Sequence, residues 1–195
     1  EPVEVEWQGV SVRLTANSRR PGDADPWTQL VCIDVTRQFV KLNAFQFGLS
    51  REREELLPAF ALALLWKESW NNPFAAAPQS SALSCFQFLD RTRSTLASRC
   101  TSAVRKRIAG NPCDVYANQA LFLEHLKELL RAAESRVNDG ASATEFYRVA
   151  YGLHHDWTAY DDSHGSPTRA LAEEVVERMQ LIEMTMRGVP LWEVI

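Results

Sequence analysis

The chain has 195 residues, 46% of them hydrophobic and 10% aromatic, with a net charge of −4. That length and apolar content suit one folded domain with a substantial core and exclude a disordered chain. The acidic balance argues against a nucleic-acid binder, and no apolar run approaches the roughly 18 residues that span a bilayer, so neither nucleic acid nor a membrane is an expected partner.

Residues 3–14 alternate apolar and polar side chains in two runs, VEVEW and VSVRL, around Gly9. Period two predicts a small hairpin or edge element. Residues 17–26, NSRRPGDADP, collect turn formers and read as a loop; residues 1–26 form an extension ahead of the main body. Asp25-Pro26 resembles an N-cap with a first-turn proline, which starts a helix from Trp27 to about Phe45, although Val31, Ile33 and Val35 suit a strand equally well.

The run PAFALALLWKES, from Pro58, predicts a helix with no solvent face over two turns, because Ala59 to Trp66 are all apolar. Pro58 suits a first helical position, with Glu54 and Glu55 just ahead of it at the positive end of the dipole. The first acidic side chain of the apolar helix, Glu68, stands at its end between Trp66 and Trp70. Partial desolvation there favours the neutral acid, so a raised pKa is expected. A carboxylate at a helix C-terminus also opposes the dipole, so something other than helix stability keeps it there. Asn72-Pro73 ends the helix.

Further on, Asp90 is expected to cap a short helix through Arg99, and residues 101–109 to form another, with Arg105, Lys106 and Arg107 outward. Asn111-Pro112 signals the start of a long helix to about Val137, whose apolar stripe runs through Val115, Phe122, Leu126, Leu129 and Ala133. Ser142 with Glu145 matches a capping box and opens a helix to Tyr151. A loop, HHDWTAYDDSHGSP, follows, and then an amphipathic helix from Pro167 to Arg187, stopped by Gly188 and Pro190. The sum is a mainly α single domain with a minor β element.

Four cysteines, Cys32, Cys85, Cys100 and Cys113, include no CxxC pair. The expected pairings are Cys100 with Cys113, across the turn at Gly110-Asn111-Pro112, and Cys32 with Cys85, in an oxidising compartment; four buried free thiols are the alternative. The N-terminal EPVEVEWQG lacks the basic and apolar regions of a secretory signal. Either a signal has been removed, the sequence starts after one, or export needs none.

The segment ESWNNPFAAAPQSSALSCFQFLDRT, after PAFALALLWK, resembles the catalytic signature of lysozyme-like lytic transglycosylases. In that family a helix ends in Glu-Ser, an Asn-Pro turn follows, and a Gly-Ala-x-Gly segment leads to Gln and Thr. Val149-Ala150-Tyr151 resembles the family's third motif, and the resemblance covers about residues 55–157. It implies a goose-type lysozyme-like fold, with a catalytic core of about residues 50–190. Glu68 matches the general acid, Ser69 the serine beside it, Gln87 the glutamine that lines the cleft, and Tyr151 the tyrosine near the acid. Two family glycines are replaced, by Ser81 and Ser84, and the asparagine after the tyrosine is Gly152. Side chains where the family has none would reshape the sugar groove.

Glycosidic cleavage needs a protonated carboxyl beside the leaving oxygen and something to stabilise an oxocarbenium-like centre. A hydrolase takes a second carboxylate, for which Asp90, Asp156, Asp161 and Asp162 are the candidates, whereas a lytic transglycosylase lets a sugar hydroxyl attack. Trp70, Phe86, Phe88 and Trp157 suit sugar stacking, although such aromatics are more often core. His154, His155, Asp156 and His164 could ligate a metal, but without the i, i+4 spacing of helical zinc motifs; neither metal nor cofactor is expected.

The expected function is a peptidoglycan glycoside hydrolase, a muramidase cutting the β-1,4 bond between N-acetylmuramic acid and N-acetylglucosamine. The alternatives are transglycosylation with 1,6-anhydro products, or a non-catalytic glycan-binding domain of the same fold. The chain also resembles type VI secretion muramidase effectors. That likeness implies an antibacterial toxin handled by secretion machinery, acting on glycan strands in the periplasm of a target bacterium and blocked by a periplasmic immunity protein.

Overall fold

The computed structural model describes residues 3–156 and 166–188. Among them the chain is mainly helical, with seven α-helices and one two-stranded antiparallel sheet. It divides into two compact units, Glu1–Phe39 with Leu65–His125, and Val40–Leu64 with Leu126–Ile195. No described helix is long and apolar enough to cross a membrane.

In the first unit the expected hairpin forms from β1 (Val3–Trp7) and β2 (Val10–Leu14), in the register Val3 opposite Leu14 and Trp7 opposite Val10. Gln8 and Gly9 turn it with φ of 51° and 79°, the two left-handed residues that match the twist of a tight hairpin. The hairpin is tied to α1 (Pro26–Asn43), because the Trp7 indole and the Gln8 side-chain amide donate to Asp34 at 2.8 and 3.3 Å. The ambiguity over residues 27–45 resolves as helix. Asp25 caps it by accepting from the Thr28 amide at 3.0 Å, and Thr28, Val31, Cys32 and Val35 bury one face at helical spacing.

The rest of this unit holds the end of α2 (Arg51–Ser69), then α3 (Asp90–Arg99), α4 (Ser102–Gly110) and α5 (Val115–Glu134) as far as His125. Asp90 is the first residue of α3 rather than its cap, and donates its backbone amide to Ser81 Oγ at 3.0 Å. The α5 cap is Asp114, not Asn111: Asp114 Oδ1 accepts from the Ala117 amide at 2.8 Å, while Asn111 Oδ1 accepts from Cys113 in the preceding turn. Phe86 stacks on Phe122 with centroids 3.8 Å apart and planes 7° apart, a contact worth about 1 kcal/mol beyond the area it buries.

The second unit contains the earlier part of α2, the later part of α5, α6 (Ala143–His155) and α7 (Pro167–Met186). Pro58 lies inside α2 rather than at its start, since the Glu54 amide already bonds the Ser50 carbonyl at 2.8 Å. The proline removes one donor, so the Glu54 carbonyl loses its helical partner. The absence of a solvent face is borne out: Leu57 and Ala59 to Leu65 are all buried. Phe60 stacks on Tyr147 at 4.5 Å, and the Arg53 guanidinium sits 4.2 Å over the Phe146 ring. Ser142 caps α6 through the Glu145 amide at 3.1 Å, as expected, but α6 continues past Tyr151 to His155. Ser166 caps α7, which packs on α6 and buries Ala172, Val175 and Met179.

Candidate active site

The site is built around the end of α2 in the first unit. Trp66, Lys67 and Glu68 are partly buried, and Ser69 is wholly buried. The helix stops at Trp70 and Asn71, which take left-handed backbone with φ of 49° and 62°. Such conformations cost non-glycine residues on the order of 1 kcal/mol each, so something must hold them. Asn72 does so, with Nδ2 donating to the carbonyls of Ser18 and Arg20 at 3.2 and 2.7 Å and Oδ1 accepting from the Phe74 amide at 2.9 Å. The Ser69 carbonyl, left without a helical donor, accepts from Gly22 at 3.2 Å and Asn72 at 3.1 Å. The 17–23 loop is therefore the cap of α2, and Glu68 is carried on a fixed support.

Ser69 shares this supporting role, since its hydroxyl donates to the Leu65 carbonyl at 3.1 Å. Trp66 and Trp70 stack on each other with centroids 5.4 Å apart and planes at 29°. Glu68, two residues from each, faces a different side of the helix from Trp66. Its tryptophan neighbours in sequence are thus not both its neighbours in space. Trp70 is 52% exposed, an open aromatic face beside the end of the helix.

Residues 75–88 fold back on themselves, with bridges from Ala76 to Leu83 and from Leu83 to Phe88. Gln87, at φ 50°, is fixed through Nε2, which donates to the carbonyls of Ala75 at 3.0 Å and Ser84 at 2.7 Å. Ser84 adopts φ 73°, the conformation that suits the glycine it replaces in the resemblance, and its hydroxyl is buried without a hydrogen-bond partner. Ser84 is buried, and Ser81 Oγ is taken up by the first amide of α3. Of the two readings open for Phe86 and Phe88, stacking platform or core, the structure gives the core: they are 1% and 4% exposed.

No family model matches the chain, and no curated protein or solved structure matches it.

The Asp90 side chain is largely exposed and ion-paired with Arg93. In the second unit Tyr151 is 2% exposed and stacks near His155, with centroids 6.2 Å apart. Asp156 follows the last residue of α6 and donates its amide to the Gly152 carbonyl at 2.9 Å. Trp157, Asp161, Asp162 and His164 lie outside the described residues. Among the described residues no three His, Cys, Asp or Glu side chains gather as a metal site.

All four cysteines are free thiols, in place of the two expected bridges. Cys100 Sγ donates to the Leu96 carbonyl at 3.5 Å. Cys32 lies against Cys85 in hydrogen-bonding contact; burial first, and then that bond, push the Cys32 thiol well up. The Cys113 thiol is also raised by burial, with the charge of Arg19 beside it pulling the other way.

Sequence reasoning took Asn72 only as a helix breaker and did not use Arg19. The Asn-Pro dipeptide signals a turn, but carries nothing about a carbonyl-binding amide reaching residues 18 and 20.

Proposed function

We propose that the protein is a peptidoglycan glycoside hydrolase of lysozyme-like fold, with Glu68 as general acid. The observation that carries this reading is the partly buried Glu68 carboxyl at the end of a buried helix, whose last turn is locked by Ser69, Gly22 and Asn72. Acid catalysis depends on a group held in place before substrate arrives, and a carboxyl on a rigid helix end meets that need. Gln87, tied to two carbonyls, keeps its Oε1 for a sugar hydroxyl or amide. Trp70 supplies an exposed ring for stacking on a pyranose.

In this mechanism Glu68 gives its proton to the glycosidic oxygen as the C1–O bond breaks. Water then adds to the oxocarbenium-like carbon, leaving a reducing end, or the muramic acid 6-hydroxyl adds, leaving a 1,6-anhydro ring. The setting proposed with it is an antibacterial effector acting in the periplasm of a rival cell, opposed by an immunity protein.

Clearing of purified peptidoglycan by wild type, with at least a hundredfold loss in Glu68→Gln, is the expected result. Equal clearing by the variant, or none by wild type, leaves the non-catalytic glycan-binding reading in its place. Mass spectrometry of the released fragments separates reducing ends from anhydro ends, and Tyr151→Phe in the same assay tests the role the resemblance gives that residue.

A further inference from the structure

The 17–23 loop that caps α2 also forms one wall of a cavity of about 710 Å³ in the first unit. Thr15, Ser18 and Arg19 line it together with Phe74, Leu83 and Cys113. The volume falls within the roughly 300–1,000 Å³ of small-ligand pockets. Phe74 and Leu83 come from the segments that support the candidate site. Phe74 follows the Asn72 lock, and Leu83 bridges Ala76 and Phe88 beside Gln87.

Arg19 is the charge that sets the character of this cavity. Its backbone is pinned, the carbonyl accepting from the Ala76 amide at 2.9 Å, and the neighbouring carbonyls of Ser18 and Arg20 are held by Asn72. Its guanidinium is exposed and has no carboxylate partner among the described residues, in a chain of net charge −4. Arg19 and Cys113 both line the cavity, and Arg19 is the one charged residue among the described residues that do. The Thr15 and Ser18 hydroxyls are already given to Asp25 and Asp23, so Arg19 is the donor left for a ligand. A cation beside the apolar Phe74 and Leu83 recognises a ligand that has a carboxylate at one end and an apolar face at the other.

We propose that this cavity binds a carboxylate of the glycan substrate, with Arg19 as its recognition residue. The inference rests on the peptidoglycan reading, because N-acetylmuramic acid bears a free lactyl carboxylate where it has no peptide stem, and the stem, amide-linked through that carboxyl, bears carboxylates of its own, whereas N-acetylglucosamine bears none. Arg19 is then what separates cell-wall glycan from neutral N-acetylglucosamine polymers.

The experiment is calorimetric titration of Glu68→Gln protein, which binds without turnover, with three probes. They are the N-acetylglucosaminyl-N-acetylmuramic acid disaccharide, the same disaccharide with its peptide stem, and the neutral N-acetylglucosamine dimer. Adding Arg19→Ala is expected to weaken one anionic probe about tenfold, to leave the neutral dimer unchanged, and to be partly rescued by Arg19→Lys. Loss confined to the peptide-free disaccharide assigns the lactyl carboxylate; loss confined to the stem-bearing probe assigns the stem. Amide shifts at Thr15, Ser18 and Cys113 on titration locate the ligand in the cavity. Unchanged affinity for both anionic probes, equal weakening of the neutral dimer, or shifts elsewhere overturn the proposal. Affinity is read without turnover, so failure of Glu68 as an acid, seen in the clearing assay, is distinct from failure here.

Discussion

The Asn72 side-chain amide donates to the Arg20 backbone carbonyl at 2.7 Å, joining the end of α2 to a loop that precedes it by some fifty residues in the chain. Asn72 is wholly buried, and its side chain makes three hydrogen bonds. Asn72→Ala leaves two carbonyls and one amide without partners, and is expected to cost about 2–4 kcal/mol in denaturant unfolding. Because the same bonds hold Trp70 and Asn71 left-handed, amide exchange in 17–23 and 69–74 should rise together. A loss of stability without that joint rise would show that the loop is held by something else.

Ser84 combines two unfavourable features, a left-handed backbone at φ 73° and a buried hydroxyl without a partner. Glycine relieves both, and its larger unfolded-state entropy offsets part of the gain, so Ser84→Gly is expected to stabilise the protein by about 1 kcal/mol. Ser84→Ala removes only the hydroxyl and keeps the backbone strain, so it should fall between wild type and the glycine variant. Urea midpoints for the three proteins test the order.

Much of the mainly α architecture was legible because burial and capping agree with periodicity. The buried stretch from Leu57 to Leu65 follows directly from an uninterrupted apolar run, and Ser142 with Glu145 caps α6 as its spacing predicts. Helix starts were less legible. Pro58 and Asn111-Pro112 look like first-turn signals, yet tertiary packing carries α2 through its proline, and Asp114 supplies the cap of α5. The support of the candidate site was hidden for a different reason. Asn72 with Ser18 and Arg20, and Gln87 with Ala75, are pairings between a side chain and a distant backbone, and no periodicity records those. For Phe86 and Phe88 both platform and core stood open, because an aromatic in a loop carries no sign of whether a partner such as Phe122 lies beneath it.

Asp25 makes the first unit acid-sensitive. Burial alone would raise its pKa, but hydrogen bonds from the Thr28 and Thr15 hydroxyls and amides outweigh it and hold the carboxyl at about 2. The folded value lies below the unfolded one of about 3.9, so the contribution is fully present above pH ~4 and is lost as pH falls towards 2. Discounted for partial solvent contact, it is on the order of 1–2 kcal/mol. Asp25→Ala should remove that increment at neutral pH and flatten stability between pH 4 and 2, as read by thermal unfolding across that range. An unchanged acid slope would place the sensitivity on other carboxylates, Asp34 first, since its four side-chain donors also lower its pKa against the effect of burial.

The thiols give a direct chemical test of the first unit. Cys32 and Cys85 are fully buried, Cys113 is 7% exposed, and Cys100 alone is partly open. Thiolate is the reactive form, and burial holds both Cys32 and Cys113 towards the thiol. A disulfide-exchange reagent added to native, unreduced protein should therefore label Cys100 quickly and the other three only as the structure opens, with four thiols counted after unfolding. Two thiols after unfolding without reductant would instead indicate one bridge. The direct contact between Cys32 and Cys85 makes theirs the pair to expect in that outcome, whereas Cys100, held on the Leu96 carbonyl, should stay reactive. Peptide mapping of the labelled protein distinguishes these cases residue by residue.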